Sequence, residues 1–321
     1  MLASSIIALL ALIWAGAVHP WSSPQVLVPL ILGLLGLVAF GFYEAMAPIK
    51  EPVLPVHILR SPTPIIIFVM TFFFNMSLYY VSFYMTVYYQ GVLANTPAWT
   101  ALIMLPVSLL AVPSVVVFTA IVGKTGRYKW LQVGGFALMI LGQGIMSTVG
   151  PNSSAAQYIC VQIPSGLGVG GLVGTLLPAF QGCAPEKDQA AATAGWTWIR
   201  SFSMVWGVAI AGTIFNQYIN KYTGTIQDDH VQQLFKDGNA FALATKEFVN
   251  SYQDPVRAQI QNVWTLAYRR ILQIGIIWVG IGLVAALLTK DIKMRTGLET
   301  EFGFEEQKKK ETAEPEMVVS A

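Results

Sequence analysis

The sequence predicts an all-α polytopic membrane protein, and three observations carry that prediction. Of its 321 residues, 55% are hydrophobic and 11% charged, where soluble domains carry roughly 25% charged residues. Apolar runs of roughly 18–25 residues, the length that spans a hydrocarbon core, follow one another along the chain. Lys and Arg fall in alternate connections between those runs, as the positive-inside rule requires of a multi-pass protein.

Eight spanning helices are expected, at about 2–16, 25–43, 65–89, 98–122, 130–149, 156–180, 190–216 and 269–289. The first is short and starts at Met1 without a basic flank. Ala15-Gly16-Ala17 resembles a signal-peptide cleavage site, but the absent positive n-region favours a helix whose beginning is missing. Lys50 and Arg60 mark one inner loop, Lys124, Arg127 and Lys129 a second, Lys187 a third, and Lys290, Lys293 and Arg295 the tail. The intervening connections His19–Pro24, Gly91–Pro97 and Pro151–Ser154 hold no Lys or Arg. This orientation places the C-terminus in the cytoplasm.

Tyr218–Tyr268 is a long outer segment with both signs of charge. Val231, Leu234 and Phe235, then Phe241, Ala242, Phe248 and Val249, suggest short amphipathic helices lying on the outer surface. Beyond Lys290 the charge blocks predict a disordered tail over 290–321. The net charge of +2 is too small to imply a nucleic-acid partner. Cys160 and Cys183 fall at opposite ends of one expected helix, about 35 Å apart at 1.5 Å per residue, too far for a disulfide.

In the third helix, Thr71, Asn75, Tyr79, Ser82 and Thr86 fall within an arc of roughly 80°. Such a stripe faces protein or a hydrated cavity rather than lipid. Interhelical hydrogen bonding that only glues the bundle is the competing reading, at about 0.6 kcal/mol per contact. Five groups in line exceed what one packing seam needs, so the cavity reading leads. In the seventh helix Arg200 sits within an apolar run, with Thr193, Thr197, Ser203 and Gly207 on its side. About two turns from the inner end it can snorkel, which favours an anchor or gate over a substrate ligand. Tyr79, Trp196 and Trp198 can stack on flat substrates, although core packing is the commoner role for such aromatics.

The run Gly166-Leu-Gly168-Val-Gly170-Gly171 matches a dinucleotide-binding pattern, with Glu186 twenty residues on. No strand precedes it, so that reading fails. Gly166, Gly170 and Gly174 instead have the small-xxx-small spacing that lets another helix approach. Pro106, Pro113, Pro164 and Pro178 are expected to bend their helices. His19, His57 and His230 lie in different loops, and no acid–base pair or metal-ligand cluster appears in a membrane helix. The sequence thus points to no enzyme, no cofactor and no metal. Asn152-Ser-Ser154 is a glycosylation sequon in a connection too short for a firm assignment.

GKTGRYKWLQVGG (Gly123–Gly135) resembles the loop motif between the second and third helices of each half of the major facilitator superfamily. PSGLGVGG, APEKDQAAATA and WIRSFSMVWGVAIAGTIF resemble later helices of its fungal fourteen-helix drug:proton antiporter branch. Trp14, Gly16, Trp21-Ser22-Ser23, Glu44 and EPVLPVHILR look like that branch's connector helices and the approach to its second bundle. The resemblance covers nearly the whole chain.

By this resemblance, residues 1–45 are the connector helices, 46–64 a cytoplasmic loop, and 65–289 the C-terminal six-helix bundle with outer loop 218–268; the N-terminal bundle is missing. It implies proton-coupled efflux of amphipathic drugs or toxins by alternating access, at the plasma membrane. Thr71, Asn75, Tyr79, Ser82, Thr86 and Gln162 would form one cavity wall, and Arg200, Lys124, Gly126, Arg127 and Lys129 would anchor or gate. The motif departs from the family at Gly123, where an Asp is usual, and Gln162 stands where the N-terminal bundle would carry the proton-linked Arg. Proton coupling is therefore assigned to no residue present here. Expected partners are the lipid bilayer, a small amphipathic substrate, and a separate N-terminal half or second copy. The competing classes are an inactive or scaffolding membrane fragment and a siderophore-type uptake carrier.

Overall fold

A computed structural model describes residues 2–15, 19, 22–46, 58–151, 153–185 and 188–290. Most of the expected loop 46–64, Asn152, Glu186, Lys187 and the tail from 291 lie outside the described residues. Every long element is a helix: α1 (Leu2–Trp14), α2 (Pro24–Met46), α3 (Pro62–Val87, continued by a wide turn Tyr88–Val92), α4 (Pro97–Thr125), α5 (Lys129–Met146), α6 (Ala155–Cys160), α7 (Gln162–Gln181), α8 (Gln189–Tyr222), α9 (Asp229–Leu234), α10 (Lys246–Asn250) and α11 (Val256–Leu288). Among the described residues six spans are long and apolar enough to cross a membrane: α2, α3, α4, α6 with α7, α8 and α11. The 13-residue α1 and the 18-residue α5 are not among the six.

The ends of the helices follow local chemistry. Thr96 caps α4 by accepting from Trp99 N, with Pro97 at the first helical position, where its missing N–H costs nothing. Gly126 ends α4 in the left-handed conformation, φ 64°, which a side chain would disfavour. The expected helix 156–180 is broken at Val161 into α6 and α7. Pro164 has no N–H to give to the carbonyl of Cys160 and crowds it, which explains a break there. Pro106 and Pro113, by contrast, sit inside the continuous α4.

α3, α11, α5 and α7 close a ring, with α4 packed on α7 and α8 on α3 and α11. α3 lies between α8 and α11, α11 touches α5, and α7 fills the space between α5 and α4. The hairpin α1–α2 joins this ring through α8. Close approach is made by glycine: Gly33 and Gly36 of α2 meet Ala8 and Ser4, and Gly207 of α8 meets Met76 O of α3. Two apolar cores result. One, around Ile67, Met70, Phe74, Phe136 and Phe180, lies toward the Tyr128 end. The other, around Tyr80, Tyr84, Tyr89, Phe215 and Trp264, lies toward α9 and α10.

Two boundaries differ from the sequence expectation. α8 runs to Tyr222 and α11 starts at Val256, so helix occupies both ends of the segment expected to be a loop over 218–268. At 1.5 Å per residue each is about 50 Å long and outreaches a hydrocarbon core of about 30 Å. The reason lies in periodicity: Ile260, Val263, Trp264, Ala267, Tyr268 and Ile271 are all buried on one face of α11, although Arg269 and Arg270 interrupt the hydropathy. The short helices α9 and α10 do not lie apolar face outward. Val231, Phe235 and Val249 are buried, and Phe235 and Phe248 pack on Trp264 with ring centroids 5.4 and 6.3 Å away. They cap the end of their own bundle.

Candidate functional site

Where the two cores meet, α3, α4, α5 and α7 line a partly open cavity of about 40 Å³. Its polar lining is Ser77, Ser82, Gln143, Gln162 and Ser165. That volume admits a few water-sized groups, each needing roughly 10–15 Å³. The helix break at Val161 shapes one wall. Gln162, the first residue of α7, turns its Nε2 to Tyr158 O at 2.6 Å and to Ile103 O of α4 at 2.9 Å, with the Tyr89 hydroxyl 3.4 Å away. One amide thus ties α6, α7, α4 and α3 together. On the opposite wall Gln143 Nε2 of α5 donates to Ser77 Oγ of α3 at 3.0 Å. The side-chain oxygens of Gln143 and Gln162 are buried and have no hydrogen-bond partner.

Of the residues assigned from sequence to the substrate wall, Ser82 and Gln162 line this cavity; Thr71, Asn75, Tyr79 and Thr86 do not. The cavity face of α3, Ser77, Leu78, Val81, Ser82 and Met85, is centred roughly 90° around the helix from the polar stripe, at about 100° per residue. Thr71 and Asn75 are buried and satisfied along their own helix, Thr71 Oγ1 giving to Ile67 O and Asn75 Nδ2 to Thr71 O, each at 2.9 Å. Asn75 Oδ1 remains without a partner. Tyr79 is half-buried, and Thr86 Oγ1 points at Met104 Sδ, 3.5 Å away. The sequence reading missed Ser77 and Gln143. Gln132 and Gln143, both buried, stand eleven residues apart, three helical turns, on one face of an apolar helix, and that spacing was the available signal.

The glycines of α7 form the floor against α4. A Cβ added at Gly166 would meet Val107 O at 3.0 Å, and one at Gly174 would meet Val115 O at 2.7 Å; at Gly170 it would collide with Ala111 O and Ser114 Cβ. The opposite face is as close to α5, with Gly168 against Gly135 O at 2.6 Å. Thr119 Oγ1 reaches across to Gly174 O at 3.0 Å.

Arg200 is half-buried, and its guanidinium carbon lies 5.6 Å from the Trp196 ring centroid, a cation–π distance. It does not line the cavity between α3 and α7. Lys124, Arg127 and Lys129 flank the α4–α5 turn, where Thr125 Oγ1 accepts from Arg127 N and Tyr128 gives its hydroxyl to Lys290 O at 2.9 Å. The basic residues of this turn and of the end of α11 are therefore gathered at one end of the bundle. Outside the cavity, Cys160 and Cys183 are both free thiols. Burial pushes the Cys183 thiol up to about 11, which leaves it protonated and unreactive at neutral pH. The described residues hold no group of three or more His, Cys, Asp or Glu that could bind a metal.

No family model matches the sequence. Three relatives define its kinship. It is 37% identical over 300 residues to the acurin A biosynthesis cluster MFS-type transporter of Aspergillus aculeatus, covering 92% of this chain and 54% of that protein. It is 34% identical to an MFS-type efflux pump of a Fusarium species, over 96% of this chain and 55% of the pump. An efflux pump of Gibberella fujikuroi is 32% identical over 93% of this chain and 54% of its own length. The chain spans about half the length of the curated relatives it matches. With six apolar spans among the described residues, an all-helical fold and these relatives, the chain is a multi-pass membrane protein that belongs to the major facilitator superfamily and is similar to fungal MFS-type transporters and efflux pumps.

Proposed function

We propose that the chain forms one half of a secondary-active exporter of amphipathic small molecules, proton-coupled in the complete transporter. The observation that carries this is the set of buried polar side chains around a cavity between α3, α4, α5 and α7, in a relative of efflux pumps. Buried amides within membrane helices are expensive and mark pathways more often than lipid-facing surfaces. In this reading all eight expected helices cross the membrane. α1 and α2 are connectors, and α3, α4, α5, the α6–α7 pair, α8 and α11 are a six-helix bundle that rocks against a second one. That second bundle is a separate N-terminal half or another copy. The protein sits in the plasma membrane with its C-terminus in the cytoplasm.

Ser82 and Gln162, joined by Ser77 and Gln143, are the substrate wall, and Thr71, Asn75, Tyr79 and Thr86 extend it along α3 once the bundles part. Lys124, Gly126, Arg127 and Lys129 gate the inner end, and Arg200, held on Trp196, anchors α8 there. The test is export of a fluorescent amphipathic dye from cells that express the chain alone, with a second six-helix bundle from a relative, or neither. Export is expected only with both bundles, and it should fall for Asn75→Leu and Gln162→Leu at normal expression. Dye retention with both bundles present in the membrane would sink the export reading.

A further inference from the structure

We infer that the cavity selects molecules carrying a neutral hydrogen-bond donor, a hydroxyl, phenol or amide N–H, and that the side-chain oxygen of Gln162 receives it. This rests on the export reading above. The orientation of that amide is fixed by its surroundings: Nε2 faces Tyr158 O at 2.6 Å and Ile103 O at 2.9 Å, and carbonyl oxygens only accept. Both N–H donors are therefore consumed by the protein. Oε1, on a residue only 1% exposed that lines the cavity, has no partner. A buried carbonyl left without a donor is costly, and an incoming donor relieves that cost.

The rest of the lining narrows the class. Among the described residues no charged side chain borders the cavity, so a carboxylate would set its lone pairs against Oε1 with no cation to balance them. A quaternary cation would bring charge without a proton to give and would find no acid. The Ser82 and Ser165 hydroxyls can turn either way and add no preference. Met85, Met139 and Met146 give deformable thioether walls that accommodate varied apolar bodies. The cavity is small and partly open, so selection acts on the functional group that reaches Gln162.

Paired fluorescent probes, a free phenol and its O-methyl ether, test this in the preparation that holds both bundles. The phenol should be exported on the order of tenfold more efficiently, the usual scale for a buried hydrogen bond kept or lost. Gln162→Leu should erase that difference, so that phenol and ether are exported equally, whatever the overall loss of export. Should the substituted protein fail to fold, the comparison in the unaltered protein still decides. Equal export of phenol and ether by the unaltered protein, or equal export of a carboxylate analogue, would overturn the donor inference while leaving export standing. Export of neither probe would instead overturn the export reading beneath it.

Discussion

Two helix seams in this molecule meet the same lipid environment and are built in opposite ways. Between α7 and α4, backbone nearly touches backbone: Gly166, Gly170 and Gly174 leave no space in which a Cβ could sit without meeting Val107, Ala111 or Val115. Between α8 and α1 there are two grooves, of about 270 and 370 Å³, lined by Leu9, Ile13, Val205, Val208 and by Ile6, Trp198, Phe202, Trp206. One polar link crosses that seam, from Thr213 Oγ1 to Leu12 O at 2.7 Å. In a bilayer there is no hydrophobic drive between helices, so close packing must supply the adhesion. The α7–α4 seam has that packing and the α8–α1 seam lacks it. α4 and α7 can therefore behave as one body, while α1 and α2 are attached to α8 as a separate hairpin.

The sharpest way to break this contrast is Gly170→Val. The new side chain would enter the space of Ala111 O and Ser114 Cβ, both on the fixed helix α4. Overpacking of this kind costs about 1–3 kcal/mol and occasionally more, and backbone cannot swing aside. Loss of most of the folded protein from detergent, read by size-exclusion, is the expected result; a normal yield with an unchanged thermal midpoint would show that the seam is not tight. Gly207→Val is the second test and a more discriminating one. It presses on Met76 O from α8, the helix that is loose on its other side. A destabilisation of about 1–2 kcal/mol is expected, smaller because α8 can shift into the grooves beside α1.

The tight seam was legible in the sequence, and the loose one was not. Three glycines at a spacing of four announce a close helix neighbour whatever that neighbour is. A groove is a property of two helices at once, and α1 and α8 are separated by far too much chain for either to disclose the fit. The same reasoning explains the cavity. Thr71 and Asn75 stood out in sequence because they are polar in an apolar run, yet each can satisfy itself four residues back on its own helix. Gln143 and Ser77 need each other, and they lie on different helices. Gln162 was found from its place in the sequence; its role in tying the Val161 break to α4 was not, since that depends on where Ile103 O falls. The ends of α8 and α11 were set too short because hydropathy drops at charged residues while helical periodicity does not.

A smaller effect is expected at the link itself. Thr213→Val keeps the shape of the side chain and removes the hydroxyl that reaches Leu12 O. Such contacts contribute about 0.6 kcal/mol in membrane proteins. A cysteine pair placed across α1 and α8 should crosslink faster in the Thr213→Val protein if the hydroxyl limits hairpin motion, and at an unchanged rate if lateral packing holds it.

The smallest expected effect is the most informative about the difference between the seams. Val205 borders both grooves and is 47% exposed. Val205→Phe also adds carbon atoms, four against the three of Gly170→Val, yet it has open space to receive the ring. The stability change should lie within about 0.5 kcal/mol of zero, the range of substitutions that meet no strained neighbour. Thermal unfolding in detergent measures it alongside Gly170→Val. A loss comparable to that of the glycine variant would mean that α1 packs on α8 as firmly as α4 does on α7, and that the hairpin moves with the bundle as one piece.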